Sequence, residues 1–184
     1  MTAFSHDKVT KPRRRWRWLV EFALVALVVV GIHVYQTWDT ARGVAPLLAG
    51  VDLNGQPLAL ADLQGQTVLV HFWATWCPIC RFEQDSIEAV SRDWTVLSVA
   101  LEDTSVEELR TYMKDAGLSF PVLRDPDGAL AARYRVRGVP ASFVIDAAGN
   151  IRFTSVGYTT GPGLRLRLWW AANFGSPSPA ESDP

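Results

Sequence analysis

Cysteine is scarce in this chain of 184 residues: there are two, with two methionines and three histidines. That scarcity excludes a disulfide-stapled scaffold and any four-cysteine zinc site. No basic excess exists either. The formal net charge is −1, which argues against nucleic acid as a partner. Internal repeats are absent, and 13 glycines without a period exclude a collagen-like chain. What is plentiful is apolar surface, 48% of residues against 20% charged. That excludes a disordered chain and suits one domain of about 150 residues with an appendage.

The charge is unevenly placed. Residues 1–35 carry six basic side chains (Lys8, Lys11, Arg13, Arg14, Arg15, Arg17) against Asp7 and Glu21, a balance of +4. Residues 36–184 carry twelve basic against seventeen acidic, a balance of −5. Phe22 to Trp38 contains no Asp, Glu, Lys or Arg. Extended back to Trp18, the segment 18–38 is about 31 Å long as a helix, enough to span a bilayer core. Trp16, Trp18, Tyr35 and Trp38 bracket it as an aromatic belt does. The predicted order is a basic leader (1–17), a transmembrane anchor (18–38) and a linker (39–47). The positive-inside rule leaves the leader in the cytoplasm and the body outside. A cleavable signal peptide is the competing reading, but the small-residue sites near Ala41 and Ala45 are poor.

In the body, Asn54-Gly55 marks a hairpin turn. Thr67 to Trp73 reads as a strand covered on both faces, and Thr95 to Leu101 as a second. Cys77 to about Arg92 reads as a helix between them. Thr104/Ser105 followed by Glu107-Glu108 reads as the start of another helix, which Gly117 ends. Phe120 to Leu123 is a short strand, followed by a turn at 125–128 and a short helix from Ala129 to Tyr134. Ala141 to Asp146 and Ile151 to Val156 form an antiparallel hairpin, and Leu164 to Phe174 an amphipathic closing helix. Ser176 to Pro184 reads as a disordered tail. The order predicts an α/β fold with a mixed sheet.

Trp76-Cys77-Pro78-Ile79-Cys80 lies between the first buried strand and its helix. Cys77 would sit at the helix N-terminus, where unpaired N–H groups and the dipole favour a thiolate. Cys80, three residues on, shares its helix face and can resolve a mixed disulfide on Cys77. Pro78 suits a first turn that needs no N–H there. A chance pair or half a metal site is the bland reading. It is weak, since no second CxxC, nearby Met or flanking His accompanies the pair.

Two segments carry a family resemblance: Phe72-Trp73-Ala74-Thr75-Trp76-Cys77-Pro78-Ile79-Cys80-Arg81, and Arg137-Gly138-Val139-Pro140-Ala141-Ser142-Phe143-Val144-Ile145-Asp146-Ala147-Ala148-Gly149. They resemble the active-site and cis-proline segments of thioredoxin-like proteins. With Glu83 following, the chain looks like the membrane-anchored thiol:disulfide oxidoreductases of the TlpA/DsbE group. Within that group it is similar to the suppressor-of-copper-sensitivity protein D type, which shares the anchor and a terminal Leu166-Arg167-Leu168-Trp169-Trp170-Ala171. The resemblance implies a thioredoxin fold over 48–175, a central mixed sheet flanked by helices with a TlpA-like helical insert. It also implies a cis Pro140 that leaves the Val139 backbone open for strand-like pairing with substrate.

Departures from the pattern mark further candidates. Thioredoxin's buried Asp is replaced by His71, either a neutral core histidine or a proton relay to Cys80. Glu83 is either a solvated helix residue or a modulator of thiol pKa. Asp85 stands where relatives have a helix-kinking proline. The Pro78-Ile79 dipeptide helps set the potential, and with Val139 it faces substrate. Trp76 completes the candidate set as a substrate-surface residue.

The leading expectation is a bacterial inner-membrane protein, single-pass, with its catalytic domain in the periplasm. It exchanges disulfides through Cys77 and Cys80, needing no cofactor beyond that pair and no metal. Its partners would be periplasmic protein thiols and disulfides, with an inner-membrane DsbD/ScsB-type electron donor implied by the resemblance. Copper-stress defence and thiol reduction for cytochrome c maturation are rival roles. A Cu(I)-binding protein is the alternative of another class.

Overall fold

A computed structural model describes the backbone of residues 13–37 and 40–175, and the side chains of residues 18–31 and 40–175. The chain divides into two compact units, with the boundary after Gln36. The first holds all but the last residue of helix α1 (Arg13–Thr37), whose described side chains, residues 18–31, are all exposed. Among the described residues, no helix is long and apolar enough to cross a membrane. The expected leader (1–17), the end of the expected anchor (32–38) and the expected tail (176–184) lie outside the residues described with side chains.

The second unit runs β1 (Gly43–Val44), β2 (Ala49–Val51), β3 (Pro57–Ala59), a 3-10 turn at Leu60–Leu63, β4 (Val68–Trp73) and α2 (Pro78–Ser91). It continues with β5 (Thr95–Ala100), α3 (Val106–Asp115), β6 (Val122–Arg124), α4 (Ala129–Arg133), β7 (Ala141–Ile145), β8 (Asn150–Val156) and α5 (Gly161–Phe174). Six strands form one mixed sheet in the order β1-β8-β7-β4-β5-β6, and β2 pairs with β3 as a separate hairpin. β4, β5 and β6 are parallel, while β7, β8 and β1 join antiparallel. This is the thioredoxin-like α/β architecture.

Every residue of β4 is buried, because both faces of the sheet are covered. Alternation sends Leu69 and Trp73 into one core, with Ile87, Leu109, Leu164 and both cysteines. It sends Val68, Val70 and Phe72 into the other, with Phe143 and Tyr134. The Phe72, Tyr134 and Phe143 rings pack edge-on and tilted at 5.0–5.8 Å.

Helix α3 starts as its sequence dictates. The Ser105 hydroxyl accepts from the Glu108 N–H, and the Glu108 carboxylate accepts from the Ser105 N–H. Gly117 ends it in the left-handed region, φ 66°. Helix α3 leads into β6, which starts two residues later than the strand expected over Phe120 to Leu123 and extends the sheet beside β5.

Three expectations need correction. The described part of the expected linker, 40–47, packs into the domain: Thr40 and Ala41 are buried, and β1 pairs with the start of β8. Two residues of edge strand carry too little pattern to read. The closing helix begins earlier, at Gly161, because the Thr160 hydroxyl caps the Gly163 N–H and Pro162 occupies the first turn. That helix is also not amphipathic in the usual sense. Leu164, Leu168 and Ala171 face the core, while Leu166, Trp169, Trp170 and Phe174 are exposed.

Candidate active site

The parallel sheet delivers β4 to the N-terminus of α2, and Cys77 is that helix's N-cap. Its sulfur accepts the Cys80 backbone N–H at 3.2 Å, using one of the donors that a helix start leaves unpaired. Pro78 fills the first turn, as expected. Helix α2 runs unbroken to Ser91 with Asp85 in its middle. Both cysteines are present as free thiols.

A second segment converges from far along the chain. The Val139–Pro140 peptide bond is cis. The Cys77 thiol lies 3.6 Å from the Val139 carbonyl, which accepts from it. The structure therefore brings together Cys77, Cys80, Val139 and Pro140.

Cys80 is buried, and burial pushes its thiol pKa strongly upward. The neighbouring Cys77 and the charge of Glu83 push in the same direction, while a hydrogen bond involving the Ala74 backbone opposes. Glu83 is 0% exposed, so it is not the solvated helix residue that was one expectation. Neither of its carboxyl oxygens has a hydrogen-bond partner. Burial raises its pKa from 4.5 to about 7, opposed by the nearby Thr159 backbone, which favours the ionised form without making a full hydrogen bond.

His71 is buried on β4, on the same side of the strand as Leu69 and Trp73. Its Nδ1 lies 3.0 Å from the Ser142 hydroxyl on β7. Burial lowers its pKa from 6.5 to about 3, so the imidazole is neutral at neutral pH.

The rim of the site is apolar. Trp76 and Ile79 flank Cys77 and are 65% and 49% exposed. Phe82 and Tyr158, also exposed, add a ring pair with centroids 5.3 Å apart. Neither of these last two emerges from the sequence pattern. Phe82 two residues past the CxxC, in the first turns of a helix, was the available signal. Glu102 is the other missed residue. It is buried just past β5, and its carboxylate accepts the Thr75 N–H in the loop before Cys77. Its place at the carboxyl end of a parallel strand next to β4 was the clue. Nearby, the Trp73 indole donates to Ser98 at 3.2 Å.

Among the described residues, no group of three or more His, Cys, Asp or Glu side chains is placed to hold a metal ion. The arrangement offers a nucleophilic sulfur at a helix start, a buried second thiol one turn on, and a carboxyl of raised pKa beside that thiol.

Comparison with known proteins gives a consistent result. The AhpC/TSA family matches residues 42–154. The chain is 32% identical over 165 residues to the thioredoxin-like protein YneN of Bacillus subtilis, covering 83% of this chain and 96% of that one. It is 28% identical over 163 residues to the thiol:disulfide interchange protein DsbE of Pasteurella multocida, covering 79% and 87%. Among solved structures, a thiol:disulfide interchange protein of the thioredoxin family from Chlorobium tepidum superposes with a TM-score of 0.64 at 30% identity, covering 72% of this chain and 98% of that one.

Proposed function

The chain belongs to the AhpC/TSA family of thioredoxin-like proteins, and on that premise we propose that it is a thiol:disulfide oxidoreductase of the DsbE type, working through Cys77 and Cys80. The observation that carries this reading is the Cys77 sulfur, held at a helix N-cap by the Cys80 N–H and faced by the Val139 carbonyl.

In the reducing direction, the Cys77 thiolate attacks one sulfur of a substrate disulfide. A Cys77–substrate disulfide forms, and the other substrate sulfur leaves as a thiolate and takes a proton. Cys80 then loses its proton and attacks the Cys77 sulfur. The second substrate sulfur leaves as a thiol, and the chain is left with a Cys77–Cys80 disulfide. Two electrons have passed to the substrate.

The second step needs a base, because burial holds the Cys80 proton tightly. Glu83, one turn along α2 with a pKa near 7, is the group for that transfer. His71 stays a neutral core residue bonded to Ser142. Trp76, Pro78 and Ile79 contact the incoming polypeptide, and the Val139 backbone pairs with it beside Pro140.

The domain works outside the cytoplasmic membrane, in the periplasm, held by a single-pass helix over 18–38 with the leader 1–17 inside. The uncharged run from Phe22 to Trp38 behind six basic residues supports this. An inner-membrane DsbD/ScsB-type dithiol donor restores the reduced pair.

We favour copper-stress or envelope redox homeostasis, on the resemblance to the suppressor-of-copper-sensitivity protein D type. Reduction of thiols for cytochrome c maturation is the rival. A deletion strain distinguishes them: copper sensitivity with normal c-type cytochromes fits the first, and loss of c-type cytochromes overturns it. The Cys77–Cys80 reduction potential tests the direction. A value near −270 mV fits a reductase and one near −120 mV an oxidant, these being roughly the thioredoxin and DsbA values.

A further inference from the structure

We propose that the Phe82 and Tyr158 rings clasp the segment 157–161 over Glu83 and shut water away from its carboxyl, which makes both rings positioning residues for the Cys80 proton transfer. The proposal rests on the assignment of Glu83 as the base above.

Strand β8 ends at Val156, and Gly157 turns the chain out of the sheet with φ 85°, in the left-handed region that glycine enters freely. Its N–H donates to the Pro140 carbonyl at 2.8 Å, which ties the start of the segment to the cis-proline. Thr160, the N-cap of α5, ties the other end. Between those ties the chain runs along α2 and meets it at three places. The Tyr158 ring lies against Phe82, with centroids 5.3 Å apart. The Thr159 backbone stands beside the Glu83 carboxyl. Gly161 lies against Ser86, so that a Cβ on it would stand 3.6 Å from the Ser86 Cβ. Glu83 is at the middle of the three, fully buried.

The ring contact is unlike the other two. Phe82 and Tyr158 are 75% and 48% exposed, so neither fills the core. Each stands just before a buried residue, Phe82 before Glu83 and Tyr158 before Thr159. A ring pair at this spacing attracts beyond the area it buries. Here that attraction holds the segment down where water matters most. Neither Glu83 oxygen has a hydrogen-bond partner, so water admitted beneath the segment would bond to the carboxylate and favour its ionisation.

The charges around Glu83 leave that role to water. The segment 157–161 contains no charged side chain. Arg81 and Asp85, on either side of Glu83 along α2, are exposed. Arg165 of α5, the helix packed against α2, bonds to Asp93 and to the Ala89 carbonyl. His71 on β4 is neutral at neutral pH. Cys80 is the group whose charge interacts with that of Glu83. A carboxyl that titrates near 7 takes a proton readily, whereas a hydrated one near 4.5 takes it poorly. The proton leaves the Cys80 sulfur for a Glu83 oxygen as the Cys80–Cys77 bond forms and the Cys77–substrate bond breaks. The departing sulfur carries the electron pair and takes a proton from water.

The test uses the full chain, reduced and in detergent micelles, with carbon-13 in the glutamate carboxyls. Glu83→Gln identifies the Glu83 resonance, whose shift with pH reads its ionisation without any turnover. Phe82→Ala and Tyr158→Ala should each raise the acid dissociation constant about tenfold, one pH unit downward. Both sites are exposed, and if one variant fails to fold the other decides. Tyr158→Phe keeps the ring and should keep the parent titration, as should Trp169→Ala, which removes an exposed ring on α5. An unmoved titration in the alanine variants overturns the proposal, and a raised KM for insulin beside it marks rings that only touch substrate. Tyr158→Phe behaving like Tyr158→Ala overturns it too, since the hydroxyl would then be the cause. Single-turnover release of substrate from Cys77, followed against pH, tests the premise separately. A rate inflection that moves with the carboxyl supports both. A carboxyl that moves without the rate inflection overturns Glu83 as the base and leaves the cover standing.

Discussion

Cys77 caps the helix that carries Cys80: its sulfur accepts the Cys80 backbone N–H at 3.2 Å. One thiol is thus at the opening of α2 and the other inside its first turn, which fixes the order of attack. Cys80→Ser should leave the first step intact and block release. Substrates would then accumulate as mixed disulfides on Cys77, visible on non-reducing gels and by mass spectrometry. Cys77→Ser should trap nothing. Trapping through Cys80 in that variant would reverse the assignment.

Glu83 gives a pH-dependent expectation for both rate and stability. Its folded pKa is raised from 4.5 to about 7, so the fold prefers the protonated carboxyl. The contribution of Glu83 to stability is therefore greatest below 4.5 and is lost as pH rises through 7. Glu83→Gln removes that loss. It should be more stable than the parent above pH 7, by about 3 kcal/mol at the upper limit, and no more stable near pH 4. Its rate profile should lack the ionisation near 7. Urea midpoints at the two pH values, with single-turnover rates, check this.

His71 behaves in the opposite sense. Its folded pKa is lowered from 6.5 to about 3, so the unfolded chain binds the proton first. Stability contributed by the neutral ring is present above 6.5 and is lost as pH falls towards 3. His71→Gln, which can keep a bond to Ser142, should flatten that acid limb while leaving disulfide reduction at pH 7 within a few-fold of the parent. A loss of reduction as large as that of Glu83→Gln would restore His71 as the relay.

Glu102 should matter for positioning. Its buried carboxylate accepts the Thr75 N–H two residues before Cys77. Glu102→Ala leaves that donor unpaired and should destabilise the domain by about 1–3 kcal/mol, with a lower rate of attack by Cys77. Glu102→Gln keeps an acceptor oxygen and should recover most of both.

Much of this was legible in the chain. The nearly continuous apolar run from Thr67 to Trp73, with Trp76-Cys77 shortly after it, predicts a central strand feeding a helix, and β4 and α2 are there. Thr104/Ser105 before Glu107-Glu108 predicts a helix start, and α3 begins there with a capping box between Ser105 and Glu108. What escaped the sequence depended on distant partners. The burial of Glu83 follows from how α2 packs in the domain, not from anything local, since a glutamate on a helix normally faces water. β1 is only two residues long and exists because β8 offers it an edge. The outward aromatic stripe of α5 was hidden because Leu166, Trp169 and Trp170 look the same in sequence as core residues.

The chain's two cysteines share one site, and that limits its traffic. The molecule holds a single pair of electrons at a time. On the proposed mechanism, whatever reduces the pair and whatever it reduces must reach the same two sulfurs in turn, so they exclude each other. Kinetics should be ping-pong, with parallel double-reciprocal lines. An excess of either visitor should slow turnover by occupying the form that the other needs.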